Sequence, residues 1–218
     1  MPRKPRPLDR PSKVRDASLI IIASEDRYAV DVYFREFRTT RTQVIPLPTE
    51  DCNSSPRDII ERLDKFKEDF AVVDGDQFWY CGDTDHWVEP NHIANLCEVL
   101  QHCRAKQYGI ALNNPCFELW LLLHFSNVEP TTALTCSEVD SRLSEVAGGY
   151  SKRFGCHKRP TAEMVHAAVS RAKSLPGSLE QIRNGPGSGV FQIIESLLRR
   201  DSIDLGEGSI QAGACGSL

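Results

Sequence analysis

The sequence predicts an α/β fold in which helices cover a largely parallel, four-stranded sheet. Short apolar segments alternate with segments of helical periodicity through residues 17–126, in the order β-α-β-α-β-α-β-α. The apolar segments lack the alternation of a half-exposed strand, and such continuous runs are typical of strands buried on both faces. A chain of 218 residues is long enough for one such domain with an appendage.

The first elements form two strand and helix units. The run "SLIIIASED" (residues 18–26) predicts the first strand, and residues 28–40 predict the helix after it, because their apolar positions have helical spacing. The second strand is expected in "TQVIPLP" (residues 42–48), which its prolines keep short. Ser55 as the cap and Pro56 in the first turn predict the start of the second helix.

The remaining elements of the sheet follow the same pattern. The third strand is expected in "FAVVDGD" (residues 70–76), where four apolar residues lead into two aspartates. Residues 89–106 predict the third helix, with Pro90 near its start. The fourth strand is expected in "QYGIALNN" (residues 107–114), and a further helix is expected to begin at Pro115.

Three further regions lie outside this pattern. Residues 127–200 predict a C-terminal helical subdomain, since three segments there have helical periodicity. Residues 201–218 are glycine-rich without periodicity and are expected to be disordered. The basic, proline-rich residues 1–16 have two interpretations, a disordered tail or an arm that contacts phosphates.

Composition limits the classes of protein to which the chain can belong. No apolar run approaches the ~20 residues that span a bilayer, so no membrane partner is expected, and the N-terminus lacks the apolar core of a secretory signal. The eight cysteines include no C-x-x-C pair and are expected to be reduced thiols in the cytoplasm. A net charge of -4 argues against binding nucleic acid through bulk charge, although a local basic face remains compatible with it.

The predicted strand ends carry the candidate site, because reactive groups of parallel α/β sheets gather at the carboxyl ends of strands. Polar pairs follow three strands: Glu25 and Asp26, Asp74 and Asp76, and Asn113 and Asn114. Asp74 and Asp76 are two residues apart, so both carboxylates would project to one side of a strand and repel each other. A divalent cation such as Mg²⁺ or Mn²⁺ would remove the repulsion. In the alternative interpretation, Asp74 caps a turn and Asp76 is solvated.

The acidic pattern resembles the TOPRIM domain. That family places a glutamate after its first strand and a D-x-D after its third, and it uses them to hold magnesium for phosphodiester cleavage or transfer. The matching residues are Glu25, Asp74 and Asp76. The resemblance implies that these three residues are metal ligands and catalytic groups. Phosphatases of the haloacid dehalogenase type fit less well, because their D-x-D follows the first strand.

A second resemblance is more specific. The stretch "NNPCFELWLLLHF" (residues 113–125) is similar to the signature of the RloB-like family, a TOPRIM branch found in bacterial and archaeal defence loci. Residues 33–37 and 187–200 also fit that family's layout. The resemblance implies a TOPRIM-like fold and a Mg- or Mn-dependent nuclease acting on RNA, including tRNA, or on DNA. It also implies a role in antiphage defence or abortive infection, with an AAA-type ATPase as partner.

The chain departs from the family pattern after the first strand. Members usually carry a C-E-G-E-K-T-E-like stretch there, whereas this chain has "SEDRYAV", in which Asp26 replaces the usual glycine. Ala29 and Val30 replace the later threonine and acidic positions. The substitutions leave two hypotheses open, a nuclease with an altered loop and a non-catalytic module of a defence complex. Self-association of the chain is also left open.

Other candidate residues lie downstream. Glu118 follows a strand exit and is expected either to cap its helix or to complete the acidic cluster as a catalytic residue. Asp83 and Asp85 either extend the cation site or lie in a solvated loop. The candidates for contacts with nucleic acid are Asn114 and a basic segment that is otherwise a solvated loop, with Lys152, Arg153, Lys158 and Arg159.

Overall fold

The fold is given by a computed structural model, which describes residues 17–37, 41–49, 55–84, 90–176 and 185–201. The predictions made for the basic leader and for residues 202–218 lie outside these ranges.

A five-stranded sheet forms the centre of the fold. Its strands are β1 (Ser18–Ser24), β2 (Thr42–Leu47), β3 (Gln77–Asp83), β4 (Gly109–Asn114) and β7 (Gly187–Ser188). Their order across the sheet is β2-β1-β3-β4-β7. The first four strands in this order are parallel, and β7 pairs with β4 in the antiparallel direction. A separate hairpin consists of β5 (Tyr150–Ser151) and β6 (Gly155–Cys156).

Seven described helices surround the sheet. They are α1 (Ala29–Phe34), α2 (Pro56–Asp69), α3 (Pro90–Ala105), α4 (Glu118–Leu122), α5 (Cys136–Val146), α6 (Ala162–Ser174) and α7 (Val190–Asp201). Helices α2 and α3 pack in one hydrophobic cluster with one face of the sheet. Helices α1, α4, α5, α6 and α7 contribute to a second cluster with the other face. The predicted α/β architecture with a mostly parallel sheet flanked by helices is confirmed.

Strand β1 illustrates why the central strands have no polar face. Ile20 and Ile22 belong to one hydrophobic cluster, whereas Leu19 and Ile21 belong to the other. Side chains of a strand alternate between its two faces, so both faces of β1 are covered. Burying each of these side chains contributes about 1.5–3 kcal/mol. The expectation of a strand buried on both faces is confirmed.

The predicted start of α2 is also confirmed. The Ser55 hydroxyl accepts a hydrogen bond from the Asp58 backbone N–H, and the Asp58 carboxylate accepts one from the Ser55 N–H at 3.0 Å. This reciprocal pair satisfies two backbone donors that have no partner inside the helix. Pro56 occupies the first turn, where its missing N–H costs nothing.

The position predicted for the third strand is wrong. Helix α2 continues to Asp69, and the chain enters the sheet only at Gln77. Between them Phe70 is 57% exposed and Val73 is 39% exposed, so the apolar run of residues 70–73 is not a core strand. A turn then closes with a hydrogen bond from the Asp76 N–H to the Val73 carbonyl at 3.1 Å. Its third position is Gly75, whose φ of +98° favours glycine.

Two small strand elements were not predicted. Strand β7 lies in the glycine-rich stretch before α7 and pairs Ser188 with Asn113. The next residue, Gly189, lies so close to β4 that a Cβ atom there would be 2.9 Å from the Ala111 Cα. The hairpin of β5 and β6 falls inside the predicted basic segment. The helical subdomain of residues 127–200 stays a prediction, and its helices share a hydrophobic cluster with Ile20 of β1.

Two predictions from composition can be compared with the described residues. Each of the six described cysteines is a free thiol: Cys81, Cys97, Cys103, Cys116, Cys136 and Cys156. Across the described ranges, no helix combines the length and the apolar character needed to cross a bilayer.

His124 is a neutral histidine in the hydrophobic core. It is 2% exposed, and its Nδ1 lies 3.0 Å from the Trp120 carbonyl, which assigns the proton to Nδ1. Nε2 then accepts a hydrogen bond from the Tyr33 hydroxyl at 3.1 Å. Burial, and secondarily the nearby charge of Arg171, lower the pKa of His124 from 6.5 to about 4, although the bonds to backbone carbonyls act in the opposite direction.

We predict that this histidine makes folding sensitive to mild acid. The unfolded chain takes up a proton on His124 below pH 6.5, whereas the folded chain does so only near pH 4. The free energy of unfolding should therefore fall by roughly 3 kcal/mol between these pH values. Urea titrations of wild type and His124→Gln would measure the difference.

The matched control is His166→Gln, which changes an exposed histidine on α6. It should keep the pH dependence of the wild type, whereas His124→Gln should flatten it. Equal slopes for wild type and His124→Gln would contradict the assignment of a neutral buried histidine.

Candidate functional site

The carboxyl ends of three parallel strands bring acidic and amide side chains together. The register of the sheet pairs Ser24 with Cys81 and Asp83 with Asn113. Glu25, the residue after β1, therefore lies beside the end of β3. The Asp83 backbone N–H donates a short hydrogen bond to Glu25 Oε1. Two acidic residues that are 58 positions apart in the chain are thus neighbours in the fold.

Asp83 is held by a buried polar network. It is 8% exposed, and its Oδ1 accepts a hydrogen bond from Asn113 Nδ2 at 3.2 Å. Asn113 is fully buried, and its Oδ1 accepts a hydrogen bond from the Ser188 hydroxyl at 2.7 Å. Strand β7 thereby orients an amide of β4, which in turn orients the Asp83 carboxylate. Such networks fix a side chain when every member has a partner.

Glu118, the first residue of α4, lies in the same region. It is 1% exposed and accepts a hydrogen bond from the Tyr150 hydroxyl at 2.9 Å. The Lys152 ammonium lies 3.1 Å from Glu118 Oε1 and 3.4 Å from Asp26 Oδ2. We refer to the four carboxylates of Glu25, Asp26, Asp83 and Glu118 as the carboxyl-edge cluster.

The carboxyl-edge cluster shifts the pKa values of the ionisable groups around it. Burial disfavours the ammonium of Lys152, but the carboxylates of Glu118 and Asp26 outweigh that effect and raise its pKa. Burial and the Glu118 carboxylate raise the pKa of Tyr150, which therefore stays a hydrogen-bond donor. Burial, with Glu118 and Asp26, also raises the pKa of Asp140 on α5. The Lys152 ammonium is therefore held as a cation between Glu118 and Asp26.

Two buried oxygen atoms in this region have no hydrogen-bond partner among the described residues. One is the hydroxyl of Thr84, a residue that is 5% exposed and directly follows Asp83. The other is Oδ1 of Asp140. Buried oxygens usually have a partner, so these two are available to a bound water or cation.

Asp74 and Asp76 lie at the opposite edge of the sheet from Glu25. Asp76 Oδ1 accepts a hydrogen bond from the Leu19 backbone N–H at 2.8 Å, which places it at the start of β1. Glu25 follows the other end of β1, about 20 Å away at ~3.3 Å per residue. The prediction that Glu25, Asp74 and Asp76 surround one cation is therefore wrong. It failed because the aspartate pair precedes the third strand instead of following it.

The fit of a metal ion to these residues can be judged from the donors. Within the ranges that the structure describes, no three His, Cys, Asp or Glu side chains are arranged as metal ligands. The donors of the carboxyl-edge cluster are hard oxygens, which suit Mg²⁺ and Mn²⁺, and the Thr84 hydroxyl has no hydrogen-bond partner among the described residues. The donor type therefore fits such an ion. Asp85, two positions after Asp83, lies outside the described residues.

The five residues predicted to contact nucleic acid differ in the groups that they contact within the protein. Asn114 Nδ2 donates to the Gly185 carbonyl at 2.6 Å. Lys152 faces the carboxyl-edge cluster, and Arg159 forms an ion pair with Glu36. The remaining two cations lie over aromatic rings, Arg153 over Phe154 and Lys158 over Phe125. Their contact with nucleic acid stays a prediction.

The sequence also contained an indication of Asp83, but the wrong position predicted for the third strand led to Asp74 and Asp76 instead. Residues 78–81 ("FWYC") are apolar like residues 70–73, and they lead into a D-x-D of their own, Asp83-Thr84-Asp85. Phe78 and Tyr80 in it are buried, whereas Phe70 is exposed. The contribution of Tyr150 had no local signal, because it comes from a hairpin 32 residues beyond Glu118.

Comparison with known proteins identifies the family. A family model described as "RloB-like protein" matches residues 20–197, which is most of the chain. The chain belongs to the RloB-like family. No curated protein and no solved structure matches it. The match covers the whole carboxyl-edge cluster and the hairpin that contacts it. The candidate site therefore lies within the residues that the family model matches.

We predict that Lys152 stabilises the fold of this RloB-like protein through Glu118. Lys152→Met would leave a carboxylate that is 1% exposed without its cation. We expect the free energy of unfolding to fall by about 1–3 kcal/mol, since the lysine side chain is half exposed. Urea unfolding would measure the change.

A double-mutant cycle provides the control. In a Glu118→Gln background, Lys152→Met should cost less than about 1 kcal/mol, because the buried charge is gone. The same cost in both backgrounds would show that the lysine acts independently of Glu118.

Proposed function

We propose that this RloB-like protein is a metal-dependent nuclease that hydrolyses phosphodiester bonds at the carboxyl-edge cluster. The observation that carries the proposal is the pairing of Glu25 with Asp83 at the ends of adjacent parallel strands. It resembles a TOPRIM domain, with a glutamate after the first strand and a D-x-D after the third. With β3 ending at Asp83, the matching D-x-D is Asp83-Thr84-Asp85.

The proposed ligands of Mg²⁺ or Mn²⁺ are Glu25, Asp83 and Asp85. When bound, the ion would neutralise charge on the phosphoryl oxygens and lower the pKa of a water nucleophile. The hard carboxylate oxygens of the carboxyl-edge cluster support a cation at this place, as does the Thr84 hydroxyl, which has no hydrogen-bond partner among the described residues. Asp85, the third proposed ligand, lies outside the described residues.

The chain's own groups would have separate roles in the reaction. Asn113, oriented by Ser188, would hold the Asp83 carboxylate in place. Glu25 is partly exposed and is the candidate for moving a proton to or from the reacting oxygens. Glu118 is buried and paired, so its role would be to position the Lys152 ammonium. Lys152 is half exposed and would place a positive charge near a substrate phosphate.

The remaining parts of the proposal derive from the family resemblance. The substrate would be RNA, including tRNA, or DNA, and the setting would be antiphage defence or abortive infection. An AAA-type ATPase would restrain the nuclease until infection. A cytoplasmic location fits the free thiols of the six described cysteines.

A second candidate is a non-catalytic module of a defence complex. Two observations favour it: Lys152 already neutralises part of the carboxyl-edge cluster, and Asp26 stands where the family usually has glycine. This candidate predicts no cleavage under any metal condition, with the chain instead binding its ATPase partner.

We predict that Asp83→Asn abolishes metal-dependent cleavage, whereas Asp74→Asn leaves it unchanged. Asparagine keeps the oxygen that accepts from Asn113 but removes the charge needed by a cation. We expect a loss of at least about 100-fold in rate for Asp83→Asn. The measurement is hydrolysis of labelled RNA and DNA with Mn²⁺ or Mg²⁺, and with EDTA as the blank.

Asp74→Asn is the matched control, because it makes the same change in an exposed residue at the other edge of the sheet. Thermal unfolding of both variants would verify that they fold. Cleavage that survives Asp83→Asn would overturn the proposed site. No cleavage by wild type, with and without the ATPase partner, would favour the non-catalytic module.

A further inference from the structure

Two exposed aromatic residues lie two positions after Asp26 and two positions after Lys152. Tyr28 is 40% exposed and Phe154 is 78% exposed. They lie on the two segments that the contact between Lys152 and Asp26 joins. Neither residue has a part in the proposed hydrolysis.

The backbone N–H of each aromatic residue is hydrogen-bonded, while the side chain remains exposed. The Tyr28 N–H donates to Asp26 Oδ1 at 2.7 Å. The Phe154 N–H donates to the Ser151 carbonyl at 3.2 Å, which closes the tip of the hairpin. The base of that hairpin is fixed by the hydrogen bond from Tyr150 to Glu118. The backbone beneath each ring is therefore ordered, and little backbone entropy remains to be lost on binding.

An arginine lies next to each ring. The guanidinium of Arg27 is 5.4 Å from the centre of the Tyr28 ring, and that of Arg153 is 5.6 Å from the centre of the Phe154 ring. An aromatic ring with a neighbouring arginine is the combination that binds an unpaired base together with its phosphate. The two pairs lie on the segments that carry Asp26 and Lys152.

We infer that Tyr28 and Phe154 are stacking platforms for the unpaired nucleotides of a strand that passes the carboxyl-edge cluster. This inference rests on the proposed function and specifies its substrate class as single-stranded nucleic acid or unpaired loops. Bases inside a duplex are stacked on each other and leave no face for these rings. A basic groove alone would bind single strands and duplexes through their phosphates.

Phe70 provides a matched control within the same chain. It is 57% exposed, but it lies at the opposite edge of the sheet, after α2. Its ring stacks on Phe66 with the centres 4.4 Å apart. Phe70→Ala therefore removes an exposed aromatic ring far from the carboxyl-edge cluster.

The test measures binding of nucleic acid under conditions that prevent cleavage. Fluorescence anisotropy in EDTA would measure the affinity of the full chain for fluorescein-labelled RNA and DNA single strands of about 15 nucleotides, and for duplexes of equal length. We expect Tyr28→Ala and Phe154→Ala each to weaken binding of single strands roughly 5- to 100-fold. Phe154→Trp should retain the affinity, Phe154→Leu should not, and Phe70→Ala should equal wild type.

Several results would overturn the inference. They are wild-type affinity in Phe154→Ala, equal losses for single strands and duplexes, and retention of binding by Phe154→Leu, which would indicate an apolar contact without stacking. Because EDTA prevents metal-dependent cleavage, the outcome is independent of the nuclease assay. A chain that binds as expected but never cleaves would retain the platforms and lose the proposed function.

Discussion

The register of β1 against β3 is the constraint on which the candidate site depends. Parallel pairing of Ser24 with Cys81 makes the strands end together, so Glu25 and Asp83 become neighbours. Ile20 and Ile21 belong to different hydrophobic clusters, and a shift by one residue would exchange the two faces of β1. The hydrophobic core therefore determines which acidic residues meet at the carboxyl edge.

The charges assembled at that edge need compensation. Glu118 is buried with one ammonium nearby, and Asp26 shares that same ammonium. Tyr150 adds a neutral donor, and its raised pKa keeps the proton on the phenol. The hairpin that carries Tyr150 and Lys152 thereby connects residues that are distant in the sequence to the end of the sheet. The exposed Phe154 of the proposed stacking platform lies in the same hairpin, two residues after Lys152.

Local signals were sufficient for much of the fold. The unbroken apolar run of β1 and the cap formed by Ser55 each predicted the observed element, because both depend on neighbouring residues. The third strand could not be located in this way. Residues 70–73 and 78–81 are both apolar, and only tertiary packing determines that Phe70 is exposed while Tyr80 is 1% exposed. Because the third strand ends at Asp83, the D-x-D that follows it begins at Asp83 and not at Asp74, and the candidate site changes accordingly. The two-residue strand β7 was beyond prediction, since its pairing with Asn113 is long-range.

The most direct test of the central claim is the position of a bound metal ion. Crystals of the chain soaked in MnCl₂ would reveal Mn²⁺ in an anomalous difference map. We expect a peak coordinated by Glu25 and Asp83 at the carboxyl edge. A peak at Asp74 and Asp76, or a carboxyl edge without any peak in crystals that hold Mn²⁺ elsewhere, would contradict it.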